Sequence, residues 1–207
     1  MNTTRAALAA ALLLTFGATA CSNDSTTHTA GTATTVPSAA ELPAGVNTAD
    51  VTFAQQMIPH HQQAVEMSKA ILDRGQNSEV RSLAEQISGA QDPEITTMKG
   101  WLTTWGQPEN AGKNDGMAGM DHSTDETMDG MMSNDEMTML DAASGPELDA
   151  LYVELMIKHH QGAITMAESQ VANGKDPGAI ALAKAIIVAQ QGEISTMNQL
   201  LPTLTSS

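Results

Sequence analysis

Four stretches of this chain repeat their apolar residues every three to four positions, as helices do, and two stretches do not. The first periodic stretch runs from about Thr48 to Asp73, with Asn47 or Thr48 as its cap and Gly75 just past its end. The second runs from near Ser78 to near Trp105, ahead of Gly106. A third opens at Ser144-Gly145-Pro146-Glu147, a capping-box pattern with proline in the first turn, and stops before Gly174. The fourth opens at Asp176-Pro177 and reaches about Leu201. Pro59 interrupts the first stretch, but Lys158 stands at the matching place in the third, inside an unbroken pattern. The helix is therefore carried through Pro59, with a kink that frees the carbonyl of Gln55, and Pro93 is expected to bend the second helix. Residues 22–46, rich in Ser, Thr, Ala and Gly, carry no period. Nor do residues 107–143, rich in Gly, Asp, Asn and Met.

The first two helices and the last two are copies at one constant offset. Asp50 falls on Asp149, Phe53 on Tyr152, Met57 on Met156 and Met67 on Met166. Without a gap, Gly75 then falls on Gly174, Gln91 on Gln190, Glu94 on Glu193 and Met98 on Met197. Short links make each copy an antiparallel hairpin. Two hairpins packed face to face give an all-α four-helix bundle, since two copies are too few for a solenoid.

Each copy carries the block Met-x-x-His-His-Gln: Met57 to Gln62, and Met156 to Gln161. On a helix, Met57, His60, His61 and Ala64 share a face, with Asp50 and Met67 at its edges. Met156, His159, His160, Asp149 and Met166 repeat this. The second and fourth helices carry matching stripes of Gln91, Glu94 and Met98, and of Gln190, Glu193 and Met197. Folding each hairpin directs these toward the histidines. Thioether sulfur is soft and holds Cu(I) or Ag(I) while offering little to zinc, magnesium or calcium, and imidazole suits copper in either oxidation state. Met beside His outside the cytoplasm, where thiols are drawn into disulfides, therefore points to copper, Cu(I) first and Cu(II) second. The bland readings are methionine as filler of a core with few aromatics, a hydrogen-bonded core pair of histidines with Asp50 or Glu94 as acceptors, and solvated Glu94 and Glu193. The unperiodic middle adds Met117, Met120 and His122, then Met128, Met131, Met132, Met137 and Met139. Seven methionines in an acidic segment read as capture of a soft ion, or as side chains resting on the bundle.

Charge and the N-terminus narrow the setting. The 207 residues fit one domain with appendages, and a formal charge of −15 argues against nucleic acid while favouring cations. Arg5, an apolar run over Ala6 to Ala18, and Ala18-Thr19-Ala20-Cys21 form an export signal too short to span a membrane. Cys21, the single cysteine, sits like the lipidated residue of a bacterial lipoprotein. Plain cleavage after Ala20 is the alternative, as Ala18 stands where leucine is usual. A single cysteine excludes an internal disulfide and a thiolate zinc site. The expected organisation is a signal peptide (1–20), a tether (21–46) and a bundle (47–204), divided into a first hairpin (47–106), the Met-rich segment (107–143) and a second hairpin (144–204).

The blocks Phe53 to Met67 and Met156 to Ala167 resemble a bacterial family, number three-hundred-and-five among the domains of unknown function, over about Asp50 to Leu201. The resemblance implies a ferritin-like four-helix bundle, usually exported, with a link to copper handling in some members. It matches Asp50, Met57, His60, His61, Met67, Gln91, Glu94 and Met98, and their second-copy partners. The reading that follows is an extracytoplasmic copper-binding lipoprotein that sequesters copper or exchanges it with a donor or acceptor protein, without turnover. A ferritin-like metal-dependent oxidase is the rival, weakened because no Glu-x-x-His occurs and the carboxylates are few. A non-metal interaction module is the other.

Overall fold

The computed structural model of the chain describes residues 41–110 and 128–205; Cys21, Met117, Met120 and His122 lie outside them, as do the signal peptide and most of the tether. Within the described residues the architecture is all-α. Asn47 caps α1 (Thr48–Arg74): its side-chain oxygen accepts the Asp50 amide at 3.1 Å, and the Asp50 carboxylate accepts the Asn47 amide at 2.8 Å. Asn77 caps α2 (Ser78–Thr104). Asp176 caps α5 (Pro177–Leu204), with Pro177 at the first turn as its sequence suggests. Both α1 and α2 run unbroken through Pro59 and Pro93.

Two expectations at the helix starts are corrected. Residues 134–142, assigned to an unperiodic segment, form a short helix α3 (Asn134–Ala142) closed by a capping box between Ser133 and Glu136. Only Leu140 of this helix is buried, so nine residues offer almost no stripe to read. The helix after it, α4 (Gly145–Asn173), starts without the box expected at Ser144, whose side chain makes no cap bond. Gly145 at φ +62° and the proline behind it set that entry instead.

Helices α1 and α2 form one hairpin, α4 and α5 the other, and α1 lies antiparallel against α4. The Asn47 amide side chain reaches the Asn173 carbonyl at one end, and Arg74 reaches the Asp141 and Ala143 carbonyls at the other. The two histidine blocks therefore cross at mid-helix. Two buried apolar clusters fill the bundle on either side of that level. One holds Val51, Phe53, Met57, Met98, Leu102 and Ile186; the other holds Met67, Ile71, Leu83, Tyr152, Met156 and Met197.

Asp50 and Asp149, expected at the edges of a metal-binding stripe, are put to another use. Asp50 accepts bonds from the Lys175 and Asp176 amides and from Gln170 at 2.6 Å, so the start of α1 grips the turn of the other hairpin. Asp149 returns the grip, accepting from the Gln76 and Asn77 amides in the turn between α1 and α2. Each carboxylate satisfies turn N–H groups that have no helical partner. Burial raises the pKa of Asp50, yet the bonds from Gln170, Asn47, Lys175 and Asp176 outweigh it and hold the carboxyl below its usual value. Asp149→Ala, which strands two amides, is expected to lower the unfolding free energy by about 3 kcal/mol, read from urea denaturation.

Candidate metal centre

Between the two apolar clusters lies a polar belt. His60, His61, His159 and His160 are all fully buried, and Gln91 and Gln190 nearly so. The crossing of α1 and α4 puts the His60 and His159 rings 3.8 Å apart between centroids, tilted by 42°. Next to each in sequence, the second histidine turns toward its own hairpin. The Nε2–H of His61 donates to Glu94 at 2.8 Å, and that of His160 to Glu193 at 2.7 Å. The Nε2–H of His60 donates to the backbone carbonyl of Asp129 at 3.2 Å.

What remains is unusual for a protein interior. The Nδ1 atoms of all four histidines are buried without a hydrogen-bond partner, and so is Nε2 of His159. Buried polar atoms are normally satisfied, so five orphaned ring nitrogens in one layer demand an explanation. Both amide atoms of Gln91 and the oxygen of Gln190 are orphaned with them. Burial, and secondly the proximity of His61, push the His60 imidazole down to about 3. His159 is pushed well below its ordinary value by burial and then by His60, His160 and His61. Both imidazoles therefore stay neutral across the physiological range, the state in which a ring nitrogen binds a metal.

Thioethers stand one helical turn away. Met57 precedes His60 by three positions and Met98 follows Glu94 by four; both are fully buried in the same apolar cluster. Met156 and Met197 hold the same places relative to His159 and Glu193, in the other cluster. Met67 is buried too, but six residues beyond His61, about 9 Å along the axis. Its counterpart Met166 lines an outer groove of about 350 Å³ with Phe53, Gln56 and Ser169. The fold thus gathers four imidazoles and two carboxylates of the expected set in one layer, and buries four of the expected thioethers one helical turn from it along their own helices. It leaves Asp50, Asp149, Met67 and Met166 outside. Among the described residues, no group of three or more His, Cys, Asp and Glu side chains is arranged to hold a metal ion by itself.

Sequence reasoning missed the residues around Asp129. Gln63 and Gly162 occupy the same place in the two copies, each three positions after a crossing histidine, and both meet the segment that carries Asp129. The signal was visible as a break in the repeat, His-His-Gln-Gln against His-His-Gln-Gly.

The domain of unknown function DUF305 matches residues 50–201. The chain belongs to the DUF305 family. A DUF305 protein of Streptomyces coelicolor, whose name describes it as secreted, is 34% identical with a TM-score of 0.66, over 76% of this chain and 94% of that one. A DUF305 fragment from Deinococcus radiodurans is 33% identical with a TM-score of 0.65, over 76% and 98%. CopM in its Cu(I)-bound form is 30% identical with a TM-score of 0.60, over 74% and 96%, and CopM is also known in Cu(II)-bound and silver-bound forms. An uncharacterized protein of Acanthamoeba polyphaga mimivirus is 47% identical over 53 residues, which are 26% of this chain and 35% of that relative's length. No helix among the described residues is long and apolar enough to cross a membrane.

Proposed function

We propose that this protein is an extracytoplasmic copper-binding lipoprotein that sequesters copper, or passes it to and from a partner protein, without catalytic turnover. Cys21 would carry the lipid, and residues 22–46 would tether the bundle to the cell envelope. The belt of orphaned imidazole nitrogens carries this reading. Metal-bound histidines almost always donate their second ring N–H to a carboxylate or a carbonyl. His61 with Glu94, and His160 with Glu193, already have that arrangement. Each Nε2–H is committed to an oxygen, so Nδ1 is the nitrogen left to offer a lone pair. Imidazole nitrogen with thioether sulfur is a donor set that favours Cu(I), and admits Cu(II) through the imidazoles. The likeness to copper-bound CopM supports the same ion.

In this reading His60, His61, His159 and His160 hold the ion or ions. Met57, Met98, Met156 and Met197 supply soft donors, and Glu94 and Glu193 orient the imidazoles. Met117, Met120 and His122 would meet incoming ions, drawn by the chain's negative charge. A buried ion is shielded from water and oxidant, which suits holding rather than turnover. Anaerobic titration with Cu(I) against a competing chelator tests the assignment. Glu94→Gln with Glu193→Gln is expected to weaken binding by about 10- to 100-fold, the usual effect of removing a group that orients a ligand. Unchanged affinity in that double variant, or copper-edge anomalous density away from the belt in a soaked crystal, would refute it.

A further inference from the structure

Three of the four belt histidines have an oxygen on Nε2, and for one of them that oxygen comes from outside the four-helix bundle. The segment 128–132 crosses the seam of α1 and α4 directly over the histidine pair. Its fit is close. A Cβ on Gly162 would lie 1.9 Å from the Asp129 carbonyl oxygen and 2.7 Å from Cα of Gly130. Gly130, at φ +79°, has no room for one either: it would meet Cα of Gly162 and the Lys158 carbonyl, each at 2.8 Å. Gln63 holds the segment from α1, its amide donating to the Met132 carbonyl at 2.9 Å and accepting from the Met132 amide at 2.7 Å. The Met132 side chain is buried in the core, and a 2.7 Å ion pair from Lys158 to Glu136 fastens the start of α3 behind it.

We propose that this strap is a working part of the metal centre: the Asp129 carbonyl fixes His60 in its Nε2–H tautomer and so presents Nδ1 as the donor, with Gln63 and Gly162 as the positioning residues that hold the carbonyl in place. The proposal rests on the copper reading above. It assigns to a backbone group, for His60, the task that Glu94 performs for His61 and Glu193 for His160. Orienting groups of this kind are found on metal-bound histidines as carboxylates or carbonyls alike. His159 makes no such bond beyond a weak interaction with the His60 backbone, so the crossing pair consists of one imidazole oriented by the strap and one that is not.

Gly162→Ala and Gln63→Ala test this in the full chain. Alanine favours a helix interior over glycine, so Gly162→Ala is expected to keep α4 intact while displacing the strap. Gln63→Ala removes both bonds to Met132 without adding bulk. In each variant helical circular dichroism is expected to match the parent. Imidazole ¹⁵N shifts of the metal-free protein are expected to change from a single Nε2–H tautomer at His60 to a mixture. Cu(I) affinity against a competing chelator is expected to fall by about 10- to 100-fold. His60 remaining a single tautomer in both variants, with parental affinity, would overturn the proposal. So would tighter binding, which would make the strap an obstruction. A parent chain that takes up no Cu(I) would refute the copper reading and the strap's metal role with it. The metal-free spectra would still report whether the strap sets the His60 tautomer, so the two failures are distinguishable.

Discussion

Replacing His60 and His159 together by leucine is expected to weaken Cu(I) binding by roughly a thousandfold or more, taking a few kcal/mol for each lost ligand. The same variant is expected to unfold at a higher temperature than the metal-free parent. The two rings bring three orphaned nitrogens into the interior, and each buried polar atom without a partner costs about 1–3 kcal/mol. Leucine removes that cost and joins the apolar clusters above and below. A gain of about 5–10 °C in the metal-free protein follows for a domain of this size. Calorimetry with and without Cu(I) checks both halves. The parent is expected to gain stability on adding the ion, by mass action, and the variant to show no gain. A variant less stable than the metal-free parent would mean that the histidine pair is structural.

Acid is expected to undo the metal-free fold well before its carboxylates titrate. An unfolded histidine takes its proton near pH 6.5, whereas the folded protein withholds one from His60 down to about 3. Between those values the unfolded state binds more protons, so stability is full above pH 6.5 and falls as the pH drops. The slope is about 1.4 kcal/mol per pH unit for each such histidine, and His159 shifts in the same direction. Asp50, held below its usual value, adds a further loss below about pH 4. Urea midpoints between pH 7.5 and 4 read the effect. The leucine double variant is expected to give a much flatter profile, and an equally steep one would remove the histidines as its cause. Because the folded His60 imidazole is already neutral at pH 5, the ion need displace no proton from it there.

The fold was legible where local chemistry and the repeat agree. Asn47, Gly75 and Asp176-Pro177 punctuate the helices, and Lys158 in the second copy shows that Pro59 need not end the first. The shared face of Met57, His60 and His61 and its recurrence pointed to two histidine pairs, but whether these meet in one layer or form two sites was open until the crossing of α1 and α4 was known. What stayed hidden depends on contacts between distant parts of the chain. Asp50 reads as a possible ligand until it meets the Lys175 and Asp176 amides of the other hairpin. Residues 134–142 bury one side chain and leave no pattern, although Ser133 and Glu136 spell a capping box. Nothing local announces that the Asp129 carbonyl meets His60, because that contact requires α1 and α4 to cross first.

The duplication lies within a single chain, and that has a consequence for how the copies can differ. A pair of identical subunits about the same axis would have to place one residue type at both equivalent points. Here Tyr152 shares a hydrogen bond with Ser68 where the other copy has Phe53 and Ala167, and Gln63 stands opposite Gly162. Covalent fusion releases each half from copying its twin. A nearly symmetric frame can then accept one lopsided cover, leaving its two faces chemically distinct.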